Sequence, residues 1–169
     1  MSLFDHRKKE KRINCQIVTI SDTRTEETDK SGDLIRQLLE EAGHYVISKE
    51  IIPDSAPTIE RVIRSGTFNP DVDVIITSGG TGIAYRDVTI EAIQPLLQKE
   101  IDGFGELFRM LSYLEDIGSA AMMSRAIAGV CNHKAIFVIP GSSGAVKLAM
   151  NKLILPELDH VIHEIQKDI

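Results

Sequence analysis

The chain has 169 residues and a formal net charge of -6 at pH 7. That length is sufficient for one α/β domain with a sizeable core, and the negative charge disfavours nonspecific nucleic-acid binding. No apolar run reaches the roughly 20 residues of a membrane span, and no apolar segment follows the basic start as in a signal peptide. We therefore expect a cytoplasmic protein that binds neither nucleic acid nor a membrane.

The N-terminal part predicts a strand, a helix and a second strand. Residues 1–12 are polar, and we expect a flexible lead-in to a single domain over residues 13–169. β-Branched residues predict a strand at 13–20. Ser31 is the expected N-cap of a helix at 32–42, which Gly43 ends. A strand at 44–52 would complete a parallel βαβ unit.

The middle of the chain repeats this alternation. A helix is predicted at 57–65 and a buried strand at 72–77, which runs into the glycine turn Gly79-Gly80-Thr81-Gly82. A further helix is expected at 88–98, where Pro95 would kink or restart it. After the second glycine pair, Gly103-Phe104-Gly105, helical spacing returns at 106–114.

The C-terminal part predicts two strands at 125–130 and 134–139, joined by a short turn. Helices follow at 145–153 and from Pro156 onward. The whole pattern indicates an α/β protein with a three-layer α/β/α architecture. Its sheet should be mostly parallel with one antiparallel strand, because the turn near residue 132 is too short for a crossover.

The two cysteines, Cys15 and Cys131, lie in strand-like segments without CxxC spacing. The absence of CxxC spacing argues against both a metal site and a redox motif. We expect both thiols to be reduced and buried.

Four predicted loops should meet at one edge of the sheet, since ligands of such sheets bind beyond the C-terminal ends of the strands. They carry Ser21 with Asp22, then Asp54, then residues 79–87, and finally Gly141 with Ser142. Glycine-rich turns expose backbone N–H groups that hold phosphate. Mg2+ binds through one or two carboxylates plus substrate phosphates. Together, the loops suggest metal-assisted phosphoryl or nucleotidyl chemistry.

Each of these features also has a purely structural interpretation. The glycine turn could serve tight packing alone, and Asp22 and Asp54 could be turn residues. Asp87 could be the N-cap of the following helix, and Glu106 could favour a helix N-terminus. The turn is neither a Walker A sequence nor a GxGxxG fingerprint.

The order of motifs resembles molybdenum cofactor biosynthesis proteins of the MoaB/MogA group. The resemblance covers nearly the whole chain from about residue 13, and it lies in these segments: Ser21-Asp22-Thr23-Arg24, Thr77-Ser78-Gly79-Gly80-Thr81-Gly82, Arg86-Asp87-Val88-Thr89, Gly103-Phe104-Gly105-Glu106, Ser124-Arg125-Ala126 and Pro140-Gly141-Ser142. It implies a molybdopterin-binding fold and a homo-oligomer, either a trimer or a hexamer. It also implies that other molybdenum cofactor biosynthesis proteins are partners of this protein.

The resemblance further implies binding of molybdopterin, a pterin dithiolene with a terminal phosphate. Active members of the group use Mg2+ and ATP to transfer AMP onto that phosphate. Asp54 and Asp87 match the two carboxylates linked with catalysis, and we expect them to bind Mg2+. The remaining matched positions would bind molybdopterin or its phosphate: Ser21, Asp22, Ser78, Gly79, Gly80, Thr81, Gly82, Glu106, Gly141 and Ser142.

Three functions remain open at this point. The first is a molybdopterin adenylyltransferase, a nucleotidyltransferase. The second is a non-catalytic protein that binds or delivers molybdopterin. The third is a scaffold whose oligomer interface matters more than its pocket.

Overall fold

A computed structural model of the chain describes residues 11–169. Of the expected lead-in at 1–12, only Lys11 and Arg12 fall within this part. The expectation of flexibility at residues 1–10 therefore lies outside the described residues.

A mixed sheet forms the centre of the described part. Its strands are β1 (Asn14–Ile20), β2 (Tyr45–Ile52), β3 (Val74–Ser78), β4 (Lys99–Glu100), β5 (Ile127–Cys131) and β6 (Lys134–Ile139). Their order is β2-β1-β3-β6-β5-β4. β1, β2, β3 and β6 run parallel, whereas β5 is antiparallel to both of its neighbours. The predicted parallel sheet with one antiparallel strand is confirmed, while β4 was not predicted because two exposed residues carry no strand periodicity.

Helices cover both faces of the sheet. They are α1 (Lys30–Glu41), α2 (Ala56–Phe68), α3 (Thr89–Ile93), α4 (Asp102–Glu115), α5 (Ser143–Ala149) and α6 (Leu155–Gln166). Short 3₁₀ turns occupy Gln94–Leu96 and Gly118–Met123, and a π-helical stretch, Met150–Ile154, joins α5 to α6. Pro95 ends α3 early, because it cannot donate the next helical hydrogen bond.

The alternation of side chains along β3 shows the three layers. Val74 and Ile76 pack in a core cluster with α1, α4, α5 and α6, whereas Ile75 packs in a second cluster with α2 and α3. Successive strand residues point to opposite faces, so each face of a central strand must find its own helical cover. The predicted three-layer α/β/α sandwich is therefore confirmed.

Two helix starts differ from the sequence-based expectation. The N-cap of α1 is Asp29, whose carboxylate accepts a hydrogen bond from Gly32 N, and Ser31 lies inside the first turn. α4 begins at Asp102, so the glycine pair at 103 and 105 is helical rather than a loop. The predicted N-cap at Ser31 is wrong because a buried carboxylate two residues earlier is the better acceptor.

Both cysteines are free thiols. Cys15 is fully buried on β1, as predicted. Cys131, at the β5–β6 turn, is only half-buried. The turn bends through positive φ angles at Asn132 and His133.

The strand order places a crevice at the ends of β1 and β3. From β1 the chain crosses to β2 on one side, and from β2 it returns to β3 on the other side of β1. This reversal is a topological switch point, where the connecting loops diverge and leave room for a ligand.

Candidate functional site

A pocket of about 450 Å³ opens at that switch point. It lies at the C-terminal ends of β1, β3 and β6, as expected for this type of sheet. Its lining consists of Thr19, Ile20, Ser21, Thr23, Arg24, Asp54, Ser78, Gly79, Gly80, Thr81, Gly82, Asp87, Met123, Ser124, Pro140 and Gly141. The structure thus brings together most of the residues that the sequence singled out from four separate loops.

The glycine turn forms the floor of this pocket. Gly79 and Gly80 have φ angles of 101° and 67°, which side chains with a Cβ rarely adopt. A Cβ on Gly79 would lie only 2.3 Å from the carbonyl oxygen of Ile20. Thr89 fixes the turn by donating to the carbonyls of Gly79 and Gly80, at 2.9 and 3.0 Å.

The backbone N–H groups of the turn are available to a ligand. Within residues 11–169, no acceptor receives a hydrogen bond from the N–H of Gly80, Thr81 or Gly82. Consecutive free N–H groups of this kind form a concave anion site. The glycines therefore serve tight packing, while phosphate binding by the same residues stays a prediction that these free N–H groups favour.

Ser78 adds an unsatisfied hydroxyl. Its side chain is fully buried and its Oγ finds no hydrogen-bond partner among the described residues. Because Ser78 also lines the pocket, a ligand oxygen would supply the missing partner. A buried polar atom without a partner costs stability, so its presence at a pocket indicates a role in binding.

The carboxylates of Asp54 and Asp87 line the pocket on the side of β2 and α3. Burial, together with the negative charges of Asp22 and Asp87, raises the pKa of Asp54 above its ordinary value. The Asp87 carboxylate accepts a hydrogen bond from Ala84 N at 3.0 Å. Asp87 is not the helix N-cap, since that position belongs to Val88. The concentration of negative charge favours a cation at this end.

Asp22 lies beside the pocket and braces its rim. One oxygen accepts a hydrogen bond from Asp54 N at 3.0 Å, and the other pairs with Arg86. Asp22 therefore joins the loops that follow β1, β2 and β3, whereas the sequence had left open a role as a local turn residue.

The opposite wall is built around Arg24, the one cationic side chain among the lining residues. Its Nη1 donates to Ser31 Oγ at 2.9 Å and its Nη2 donates to the Gly141 carbonyl at 3.2 Å. Ser142 lies just beyond and caps α5 by accepting from Ala145 N at 3.2 Å. The pocket is therefore positive near Gly141 and negative near Asp54.

A buried ionic network supports this wall from below. Asp29 is fully shielded from solvent and lies 3.0 Å from the ammonium of Lys49, whose side chain is 2% exposed. Asp29 also accepts from Thr19 Oγ1 at 2.8 Å, and Arg24 lies 3.8 Å away. These contacts link β1, β2 and α1 directly beneath the candidate site.

Arg125 contacts the glycine turn from outside the pocket. Its Nε donates to the Thr81 carbonyl at 2.9 Å and its Nη2 to the Gly82 carbonyl at 2.6 Å. Its guanidinium also pairs with Glu91 on α3. Arg125 does not line the pocket itself, so it acts on the turn rather than on a ligand.

Glu106 lies away from this pocket. It is exposed on α4 and borders a separate depression with Arg109 and Ala126. Because α4 begins at Asp102, Glu106 also lies beyond the helix N-terminus proposed for it. Within one copy of the chain, the structure does not bring Glu106 to the other predicted residues.

The donor set suits Mg2+ held jointly with a ligand. In residues 11–169 no cluster of three or more His, Cys, Asp or Glu side chains is arranged to hold a metal alone. Mg2+ needs no such cluster, because it is commonly bound by one or two carboxylates and substrate phosphates. The acidic end with Asp54 and Asp87 beside free N–H groups provides this combination.

Sequence reasoning missed three contributors: Arg24, Arg125 and the Asp29–Lys49 pair. The available signal was that both arginines lie in sequence motifs. Arg24 lies in the loop after the first strand, and Arg125 begins the predicted strand at 125–130. Lys49 gave none, because an alternating strand does not reveal which lysine becomes buried.

Residues 16–160 match a family model described as "Probable molybdopterin binding domain". A relative from Bacillus cereus with the name Molybdenum cofactor biosynthesis protein B is 61% identical over 168 residues, covering 99% of each chain. No helix within residues 11–169 is long and apolar enough to cross a membrane.

Solved structures agree with this similarity. A crystal structure of Molybdenum cofactor biosynthesis protein B matches with a TM-score of 0.92 at 62% identity, covering 95% of this chain and 99% of that one. The tungsten cofactor synthesizing protein MoaB from Pyrococcus furiosus matches with a TM-score of 0.79 at 36% identity, covering 92% and 98%. The predicted molybdopterin-binding fold is confirmed.

Proposed function

This chain belongs to the family of molybdopterin-binding domains of molybdenum cofactor biosynthesis, and from that premise we propose that it is a molybdopterin adenylyltransferase. It binds molybdopterin and uses Mg2+ and ATP to transfer AMP onto the terminal phosphate, before molybdate is inserted. The observation that carries this proposal is the pocket in which free N–H groups of a glycine turn adjoin the carboxylates of Asp54 and Asp87.

The reaction joins two anions. An oxygen of the terminal phosphate attacks the α-phosphorus of ATP and forms a new P–O bond, and the bond from that phosphorus to the pyrophosphate oxygen breaks. No protein nucleophile is needed, so the chain contributes mainly orientation and charge stabilisation. Mg2+, when bound, supplies neutralisation of charge on the nucleotide phosphates.

The residues divide the work along the pocket. The N–H groups of Gly80, Thr81 and Gly82 and the hydroxyl of Ser78 donate to phosphate oxygens. Arg24 and the Gly141 turn provide the positive end, which attracts a ligand anion. Asp54 and Asp87 would hold Mg2+ at the negative end, with Ser21 and Ser142 at the flanks.

The test is to incubate the purified protein with molybdopterin, ATP and Mg2+ and to measure adenylylated molybdopterin by mass spectrometry. Wild type should form it, and Asp87→Asn should lose at least about a hundredfold in rate, since one charged group is removed from the transition state. Asp71→Asn, an exposed loop position, is the matched control.

The same assay separates catalysis from delivery. A non-catalytic delivery protein would bind molybdopterin without forming product, and Asp87→Asn would then leave delivery unchanged. Absence of product from wild type overturns the adenylyltransferase proposal. We also propose a cytoplasmic location, because the reaction consumes ATP.

We further propose that copies of this chain associate as a trimer or a hexamer through α4 and the turn after it. Large apolar side chains on this surface are exposed: Leu107 (46%), Met110 (50%), Leu114 (67%), Ile117 (47%) and Met122 (82%). A contiguous apolar surface of this kind usually marks an interface. Met123 joins it to the candidate site, since that residue is 46% exposed and lines the pocket.

Because this apolar surface is continuous with the pocket, we favour a second copy of the chain as the partner that covers it. A closed symmetric assembly would cover the apolar surface and complete the pocket wall at Met123. Other molybdenum cofactor biosynthesis proteins would then meet the pocket at its open side, where molybdopterin arrives and its product leaves.

A further inference from the structure

Apart from the pairing of Arg86 with Asp22, the segment between Gly82 and Asp87 has few anchors of its own. Ile83 is 70% exposed and Tyr85 is 99% exposed, so neither side chain ties the segment to a hydrophobic core. Short surface segments without buried apolar contacts open easily. Yet this segment carries Asp87, which the proposed reaction needs in a fixed place.

Arg125 supplies an anchor at both ends of the segment. Besides its bonds to Thr81 and Gly82, its Nη2 lies 3.4 Å from the Asp87 carbonyl. Carbonyls before and after the exposed residues are therefore held by one side chain. A planar guanidinium with several donors can do this, whereas the ammonium of lysine is a single point.

Glu91 completes the arrangement from α3. Its carboxylate pairs with Arg125, and the hydrogen bond from Arg125 lowers the pKa of Glu91. α3 begins immediately after the segment. The ion pair therefore fixes Arg125 against the same helix that the segment leads into.

The direction of these hydrogen bonds also matters for the pocket. Arg125 takes up the carbonyls of Thr81 and Gly82 on the outer side, whereas the N–H groups of Gly80, Thr81 and Gly82 find no acceptor within residues 11–169. Consecutive peptide units with bound carbonyls cannot rotate freely. The N–H of Gly82, which shares a peptide unit with the Thr81 carbonyl, then stays available to a ligand without further ordering.

We propose that Arg125 is a positioning residue that holds the glycine turn from outside and thereby places Asp87 and the N–H of Gly82 for catalysis. The catalytic part rests on the proposed adenylyltransferase function, whereas the holding of the turn does not. Arg125 touches no ligand itself. It acts through the Thr81, Gly82 and Asp87 backbone.

The test uses the full chain with Arg125→Gln and Arg125→Lys, and Arg64→Gln as the matched control. Arg64 forms an exposed surface ion pair with Glu60 within α2. Residue-resolved hydrogen–deuterium exchange of the Ala84 and Asp87 amides, which donate to the Asp87 carboxylate and the Ala84 carbonyl, reports on the segment without any substrate. In Arg125→Gln, exchange should rise about tenfold, because at least one strong charge-assisted hydrogen bond is lost.

Mg2+ titration of the activity supplies the second measurement. Arg125→Gln should raise the Mg2+ concentration for half-maximal rate about tenfold. The melting temperature of this variant should change only slightly. Arg125→Lys should not restore wild-type behaviour, because lysine cannot reach three carbonyls. Arg64→Gln should match wild type in both measurements.

Two results would overturn the proposal. One is unchanged exchange of the Ala84 and Asp87 amides in a folded Arg125→Gln protein, and the other is wild-type behaviour of Arg125→Lys. If wild type forms no adenylylated molybdopterin, the proposed function fails, but the exchange measurement still decides whether Arg125 holds the turn.

Discussion

The carboxylate of Asp29 lies 3.0 Å from the ammonium of Lys49, and neither side chain is more than 2% exposed. The same carboxylate caps α1 at Gly32 and accepts from Thr19. A buried charge is tolerated only when it is paired and hydrogen-bonded, and Asp29 meets both conditions. Because Arg24 also approaches this carboxylate, the pair supports the wall of the candidate site.

Breaking this pair should destabilise the fold. Asp29→Asn leaves the ammonium of Lys49 buried without its main counter-charge, and we expect a loss of about 3 kcal/mol in the free energy of unfolding. The double variant Asp29→Asn with Lys49→Met should lose less than the sum of the single variants. Urea titration measures both, with Asp71→Asn as the control, since Asp71 is exposed in a loop, whereas Asp33 also pairs with Lys49. Additive losses would contradict the pairing.

The same pair fixes the pH dependence of stability. Burial would raise the pKa of Asp29, but hydrogen bonds from Lys49, Gly32 and Thr19 outweigh it and lower the pKa below its ordinary 3.8. The contribution of Asp29 is therefore present above pH 3.8 and is lost as the pH falls through the lower folded value. The difference between wild type and Asp29→Asn should shrink in acid unfolding curves below that pH, and a constant difference would refute this assignment.

Ser78 and Thr77 form a natural control pair. Both have buried hydroxyls without a partner among the described residues, but they point to opposite faces of β3, and only Ser78 lines the pocket. Ser78→Ala should weaken molybdopterin binding about tenfold without lowering stability. Thr77→Val should leave binding unchanged and stabilise the fold. Calorimetric titration and thermal unfolding check both, and equal binding by Ser78→Ala would remove Ser78 from the site.

Asp54 should trade stability for function. Its pKa is raised by burial and by the charges of Asp22 and Asp87, so ionising it costs stability as the pH rises through 3.8 toward the folded value. Asp54→Asn should therefore gain up to about 1 kcal/mol at pH 7, a small value because the site is partly solvated. The gain should vanish near pH 3, while adenylyl transfer is lost. A destabilised Asp54→Asn at pH 7 would contradict this picture.

The apolar surface of α4 predicts a change in assembly. Leu114→Lys places a charge at a side chain that is 67% exposed in one copy. An interface through the apolar surface of α4 would have to bury this charge. We expect a shift toward monomer in size-exclusion chromatography with light scattering, with the fold retained. Phe68→Lys, at an apolar side chain that is 73% exposed on α2, is the control and should leave the assembly unchanged. An unaltered assembly in Leu114→Lys would exclude this surface.

Local patterns were enough to predict the layers and the central strands, because periodicity is a property of neighbouring residues. They also pointed to Asp54, Asp87 and the glycine turn, since all three follow strand ends. The start of α1 was missed, because Asp29 and Ser31 are both favourable N-caps by sequence, and the burial of Asp29 against Lys49 involves the next strand. The contacts of Arg125 were not predictable, because a long side chain reaches carbonyls about forty residues away by sequence.

The position of Cys15 in the core also bears on redox chemistry. Burial, with a further contribution from Asp73, raises the pKa of the Cys15 thiol to about 12, so only roughly one molecule in 100,000 carries the thiolate at pH 7. Cys131, the other cysteine of the chain, lies at the β5–β6 turn, at the end of β6 opposite the pocket. The molybdopterin proposed as the ligand would therefore find no protein thiol at the pocket with which its dithiolene could be oxidised to a mixed disulfide. Binding at this pocket would then leave the sulfur atoms of the ligand without a covalent bond to the chain.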